Sequence, residues 1–212
     1  MKPTPWNRLF EAIKKEALKL DDKQRTCFSR AHARLRVARR FQNVNLKGVS
    51  SLTERGYTTG IAIFLAYSGM EALANAMGEK PHGWEHEDPD LAQRLRKLLN
   101  GLDLSHPNRQ EGIGWLLENH KLLGRLQAFQ KGESNNVFLI AQSLRHMVAH
   151  GSFTTHGLKM FTKRECDAVE ELRQLIFRSC DQRVNQWLDQ QLQAATPVVP
   201  RMTPTAFPGQ AC

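Results

Sequence analysis

From Tyr57 to Met77 the chain is almost wholly apolar, with one charged residue, Glu71, and many small side chains: Ala62, Ala66, Ser68, Gly69, Ala72, Ala74 and Ala76. Small residues let neighbouring helices come close, and a buried carboxylate needs a cationic partner. The stretch predicts a central core helix whose Glu71 is answered by a base from another segment. Its most apolar part, Gly60 to Met70, is interrupted by Tyr67 and Ser68 and is too short to cross a bilayer. Met1 to Trp6 carries no apolar signal core. A membrane-spanning or secreted protein is not expected; a soluble cytoplasmic one is.

The rest of the chain reads as helices around that core. Trp6, Leu9, Phe10, Ile13, Ala17 and Leu20 recur at three- and four-residue steps and predict an amphipathic helix over 6–20. Asp21 or Asp22 caps a second helix, about 23–44, with Phe28, Ala31, Leu35 and Ala38 on its buried stripe. Residues 43–55 read as a loop and 78–89 as a solvated polar loop. A short helix is expected from Pro89 or Asp90 to Leu102, then a helix or helix pair between Gln110 and Phe129. Gly132 to Asn135 marks a break, with Ser134 or Asn135 capping the next helix, about 136–150, which stops at Gly151. Residues 152–161 suit a short β-hairpin or an irregular insert. A long helix then covers about 163–192, and the Pro-rich segment 196–212 reads as a disordered tail. There is no internal repeat and no strand series, so the fold class is all-α: one helical-bundle domain over residues 1–195.

Charge narrows the partners. The formal net charge is +9, and from Lys23 to Lys47 there are eight Lys or Arg and no Asp or Glu. Arg25, His32, Arg36, Arg39 and Arg40 gather on one face of the second helix, a cationic surface suited to the phosphates of nucleic acid. Four scattered cysteines, Cys27, Cys166, Cys180 and Cys212, form no C-x-x-C pair and suggest a reducing compartment. His82 and His86 are four residues apart, but Pro81 and Gly83 argue against the helix that would converge them on a metal. No metal and no cofactor is expected.

The chemistry concentrates between Val137 and Gly151. Val137, Ile140, Ala141, Leu144, Met147 and Val148 form the buried stripe of this helix, and Gln142, Arg145, His146 and His150 lie opposite, around Ala149. His146 and His150 are one turn apart on the same face. A guanidinium offers a fixed fork of donors to phosphate oxygens, and an imidazole moves protons near neutral pH. Such a grouping suits phosphodiester chemistry.

Leu144 to Gly151 resembles the R-x4-H motif of the HEPN domains, in which a polar residue follows the arginine; His146 stands where Asn is frequent. Tyr67 to Leu73 is similar to the family's helix bearing an acidic residue that steadies the motif. The resemblance covers about residues 24–192 but is carried by these two segments. It implies a HEPN-like homodimer whose two motif helices face each other across a joint cleft. It implies metal-independent RNA cleavage, with the RNA's own 2′-hydroxyl as nucleophile and a cyclic phosphate end as product. Arg145 would bind the scissile phosphate, His150 would be the general acid/base, His146 would assist, and Glu71 would hold Arg145. Arg25, Arg36, Arg39 and Arg40 would bind the RNA backbone. Such a nuclease could be the toxic half of a toxin–antitoxin or defence pair, with an antitoxin or other protein as partner. The competing reading is a catalytically silent helical module that dimerises or binds RNA or protein through the same surface. A lesser third is a basic protein of the membrane surface.

Overall fold

The structure is a computed structural model that describes residues 4–99, 117, 121–150 and 162–195. Among these residues there are seven α-helices, a 3-10 turn at Pro81–Gly83, one isolated bridge between Glu87 and Asn136, and no strand. The chain is thus all-helical there, and no helix in this set is long and apolar enough to cross a membrane. The insert at 152–161 and the tail at 196–212 lie outside the described residues.

Helix α1 (Pro5–Lys14) opens on a Thr4 cap and ends six residues before the sequence pattern suggests. Its exit is closed by the amide of Ala17 on the Ala12 carbonyl and that of Glu16 on Ile13, with Glu16 at φ 55°. This is the left-handed closure that stops many helices, here without glycine. Leu18 is nevertheless buried, so the apolar period continues past the helix as a packed turn.

Helix α2 (Asp22–Arg40) starts in a full capping box between Asp21 and Gln24 and buries the predicted stripe Phe28, Ala31, Leu35 and Ala38. Helix α3 (Ser51–Ala76) is six residues longer at its start than expected, because Ser50 accepts from the Thr53 amide as an N-cap. Helix α3 is the centre of the bundle, packing on α2, on α6 (Phe138–Ala149) and on α7 (Lys163–Ala195). Gly69 allows α2 to cross close to it. A Cβ there would lie 2.7 Å from Leu35 Cδ2 and 3.2 Å from the Leu35 backbone nitrogen.

Helix α4 (Pro89–Leu99) and α5 (Leu123–Lys131) complete the layer against α7 and α6. Gly132, at φ 84°, ends α5 in the break predicted there. The segment before α4 is exposed at Gly78, Lys80, Gly83, Glu85 and Glu87, as a solvated loop would be, but it is pinned to the fold at Trp84 and over 86–88. Trp84 is buried and donates to Glu79 at 2.5 Å. His86 donates its amide to Asn136 Oδ1 and accepts from the Val137 amide, while Asp88 donates to the Asn135 carbonyl. Asn136 also accepts from the Phe138 amide. The helix starts from Val137 without a side-chain cap, so neither Ser134 nor Asn135 fills that role; the Asn136 carboxamide oxygen instead takes the amides of Phe138 and His86, joining the helix start to the loop beside it.

Candidate functional site

Two helices build the site. Helix α6 is buried along Phe138, Leu139, Ile140, Ala141, Ser143, Leu144 and Met147. Leu139 and Ser143 sink as well as the expected stripe, because α6 is clasped by α3, α5 and α7 together. Ser143 tolerates this by donating its hydroxyl to the Leu139 carbonyl at 2.8 Å. Val148 is only partly buried, and Gln142, Arg145 and His146 are too; Ala149 and His150 are exposed. The polar side of α6 therefore opens toward solvent over its last two turns.

Glu71, from the middle of α3, meets that side. Its Oε2 lies 3.2 Å from Arg145 Nε, with the two side chains 22% and 28% exposed. The Nε–H meets the carboxylate off-axis, so the contact is an ion pair more than a well-directed hydrogen bond. Burial lifts the Glu71 carboxyl above its ordinary range, and the nearby charges of Arg145 and Arg34 pull it back only in part. Beneath them, Tyr67 is buried one turn earlier on α3, and its phenol is pushed up, first by burial and then by the Glu71 charge. Arg145 Nη1 is 3.5 Å from His146 Nδ1, and the rings of His146 and His150 stack at 6.4 Å with 15° between their planes. His150 itself closes α6 as its cap residue. Arg145, His146 and Glu71 are thus brought together, with His150 one turn along at the exposed end.

A groove of about 530 Å³ opens beside this pair, between α2 and α3. Its polar end is formed by Arg34, Ser68, Glu71 and Arg145. Its walls are Ala33, Val37, Phe64 and Leu65, of which Val37 is 55% exposed.

The four α2 arginines expected to meet RNA do not line this groove. Arg25 donates to the Leu20 carbonyl at 3.1 Å, bracing the turn before α2. Arg39 pairs with Asp181 at 2.7 Å and lies over the Phe177 ring, binding α2 to α7. Arg36 and Arg40 are exposed. His32, on the same face, is sandwiched against Trp6 and Phe10 of α1 at 4.9 and 5.1 Å. That stripe serves in large part to dock other helices. Arg34 was the residue to notice. The signal was Val37, an aliphatic side chain inside an arginine run yet off the buried stripe, marking a second, half-open face of α2.

Among the described residues, no three His, Cys, Asp or Glu side chains converge as metal ligands would. The chain matches no protein-family profile, no curated protein and no solved structure.

Proposed function

We propose that this protein is a HEPN-like endoribonuclease that cleaves RNA without a metal, through Arg145, His146 and His150. The observation that carries the reading is the Glu71–Arg145 pair at 3.2 Å, with His146 against the guanidinium and His150 stacked on His146 one turn along at the open end of α6. With the carboxylate at Nε, the Nη edge of the guanidinium, where Nη1 meets His146, is the part that can turn to phosphate oxygens. In the reaction, one imidazole takes the proton of the RNA 2′-hydroxyl as that oxygen attacks the adjacent phosphorus. Arg145 stabilises the charge that builds on the non-bridging oxygens. The bond from phosphorus to the 5′-oxygen breaks, and that oxygen receives a proton from an imidazole acting as acid. The products are a 2′,3′-cyclic phosphate and a free 5′-hydroxyl. His150 is assigned the acid/base role and His146 the assisting one. The enzyme acts as a homodimer, with the two α6 ends across one cleft.

The same pair also fits a silent module. Arg145 is largely withdrawn from solvent and already answered by Glu71, as a structural ion pair would be. RNA cleavage in EDTA by purified protein separates the two readings. Wild-type cleavage that drops at least about a hundredfold in Arg145→Ala and in His150→Ala is the expected result, in line with the loss of an acid/base or oxyanion-stabilising group. RNA binding without cleavage in all three proteins selects the silent module. Cleavage untouched by either substitution puts the chemistry elsewhere in the chain.

A further inference from the structure

The groove between α2 and α3 has an ionic imbalance at its polar end. Two guanidiniums, Arg34 and Arg145, face a single carboxylate, Glu71. Glu71 is in contact with Arg145. Among the described residues, Arg34 takes part in no ion pair, although its charge is felt by Glu71. No acid of α2 is within reach of it: Asp22 stands in the first turn, about 18 Å away along the helix, and residues 23–47 contain no Asp or Glu. Arg30, one turn earlier on the same face of α2, is also exposed and adds to the excess. An unanswered cation held at a concave site attracts an anion. The neighbouring walls are not those of a simple ion site. Val37 is exposed and Phe64 and Leu65 are part-exposed, offering apolar and aromatic contact beyond the arginines. A ligand with both a phosphodiester backbone and flat apolar faces matches the two halves of the groove.

We propose that an RNA strand lies in this groove, with Arg34 as a second phosphate-binding arginine beside Arg145 and with Val37 and Phe64 contacting a base next to the scissile phosphate. The inference rests on the nuclease reading and gives that site its substrate track. It places the RNA on the Arg30–Arg34–Val37 face of α2, away from the stripe of Arg25, Arg36, Arg39 and Arg40. Arg34 is a binding residue: its removal weakens capture of RNA and leaves the chemical step to Arg145 and the histidines.

The test uses the full-length protein and a fluorescent 2′-O-methyl RNA dodecamer, which keeps the phosphates and bases but lacks the attacking 2′-hydroxyl, with anisotropy read in EDTA across a series of KCl concentrations. Arg34→Ala is compared with wild type, Arg34→Lys and Arg178→Ala, the last removing an exposed arginine of α7 outside the groove. Thermal melting accompanies each, and Arg34→Ala is expected to melt as wild type does. Loss of one phosphate contact lowers the slope of log affinity against log salt by about one unit, and affinity at low salt falls about tenfold. Arg34→Lys restores most of the slope. In cleavage assays Arg34→Ala raises KM with kcat little changed. Wild-type affinity and slope in Arg34→Ala, or an equal loss in Arg178→Ala, overturns the inference. If cleavage still depends on Arg145 in that case, the nuclease reading stands alone. A wild type that binds no RNA at any salt removes both.

Discussion

Glu71 is half-withdrawn from water in the middle of an apolar helix, and its carboxyl is raised chiefly by burial, with Arg145 and Arg34 opposing. The sign of its contribution follows from linkage. A carboxyl that holds its proton more tightly when folded costs stability wherever it must ionise, so the cost is absent below the ordinary value of 4.5 and grows as pH rises through the folded value. Glu71→Gln mimics the protonated form at every pH. Melting curves of the two proteins should therefore coincide near pH 4 and separate toward pH 7, with the glutamine variant the more stable. A variant less stable at pH 7 than at pH 4, relative to wild type, would show that pairing with Arg145 outweighs burial. The same substitution should reduce RNA cleavage, since the guanidinium loses the charge that positions it. Stability and activity then move in opposite directions, as they do where a strained polar group is kept for function.

At the scale of elements, the site depends on how closely α2 approaches α3. Arg34 can share a groove with Arg145 because Leu35, the next residue, lies against Gly69 with no Cβ between them. Gly69→Ala places a methyl 2.7 Å from Leu35 Cδ2 and 2.8 Å from its Cγ, with the Leu35 backbone nitrogen at 3.2 Å blocking a simple retreat. Overpacking of this kind costs about 1–3 kcal/mol, and the better helix propensity of alanine returns at most about 1 kcal/mol. Urea denaturation should show a net loss on the order of 1 kcal/mol. RNA affinity should fall with it, because moving α2 outward carries Arg34 away from Arg145. A stabilised variant would mean that Leu35 simply changes rotamer and that the crossing is looser than its distances suggest.

Over the whole molecule, the two ends of the described chain are tied together. Trp6 donates its indole N–H to Asp181 at 3.1 Å, and Arg39 reaches the same oxygen at 2.7 Å, so one carboxylate joins α1, α2 and α7. Arg8 adds bonds to Asn185 and Asp189. His32 is packed under this junction, against Trp6 and Phe10, and burial together with the charges of Arg36 and Arg39 lowers its pKa from 6.5. A histidine depressed on folding contributes stability that is present above pH 6.5 and is lost as pH falls through the folded value. Docking of α1 should therefore weaken progressively as pH falls below 6.5. Tryptophan fluorescence and hydrogen exchange at 5–14 would report it, and His32→Phe should flatten the dependence. Exchange in α1 that is constant over that range would remove His32 from the account.

Much of this was written into local sequence. The buried stripe of α2 follows from the spacing of Phe28, Ala31, Leu35 and Ala38. The polar side of α6 follows from Arg145, His146 and His150, and the need of Glu71 for a base follows from its apolar surroundings. These are short-range consequences of helical period and of the cost of burying charge, so an isolated sequence expresses them. Contacts between distant segments were not legible. That one Asn136 oxygen would take the amides of both Phe138 and His86 depends on two segments meeting fifty residues apart. That Arg39 would be spent on Asp181, while Arg34 faced the Glu71–Arg145 pair, depends on which way α2 is turned once α3 and α7 have packed on it. All the arginines of α2 carry the same charge and differ only in direction. The helix period alone determined which of them point apart, and the tertiary packing decided which serve the fold and which face the groove.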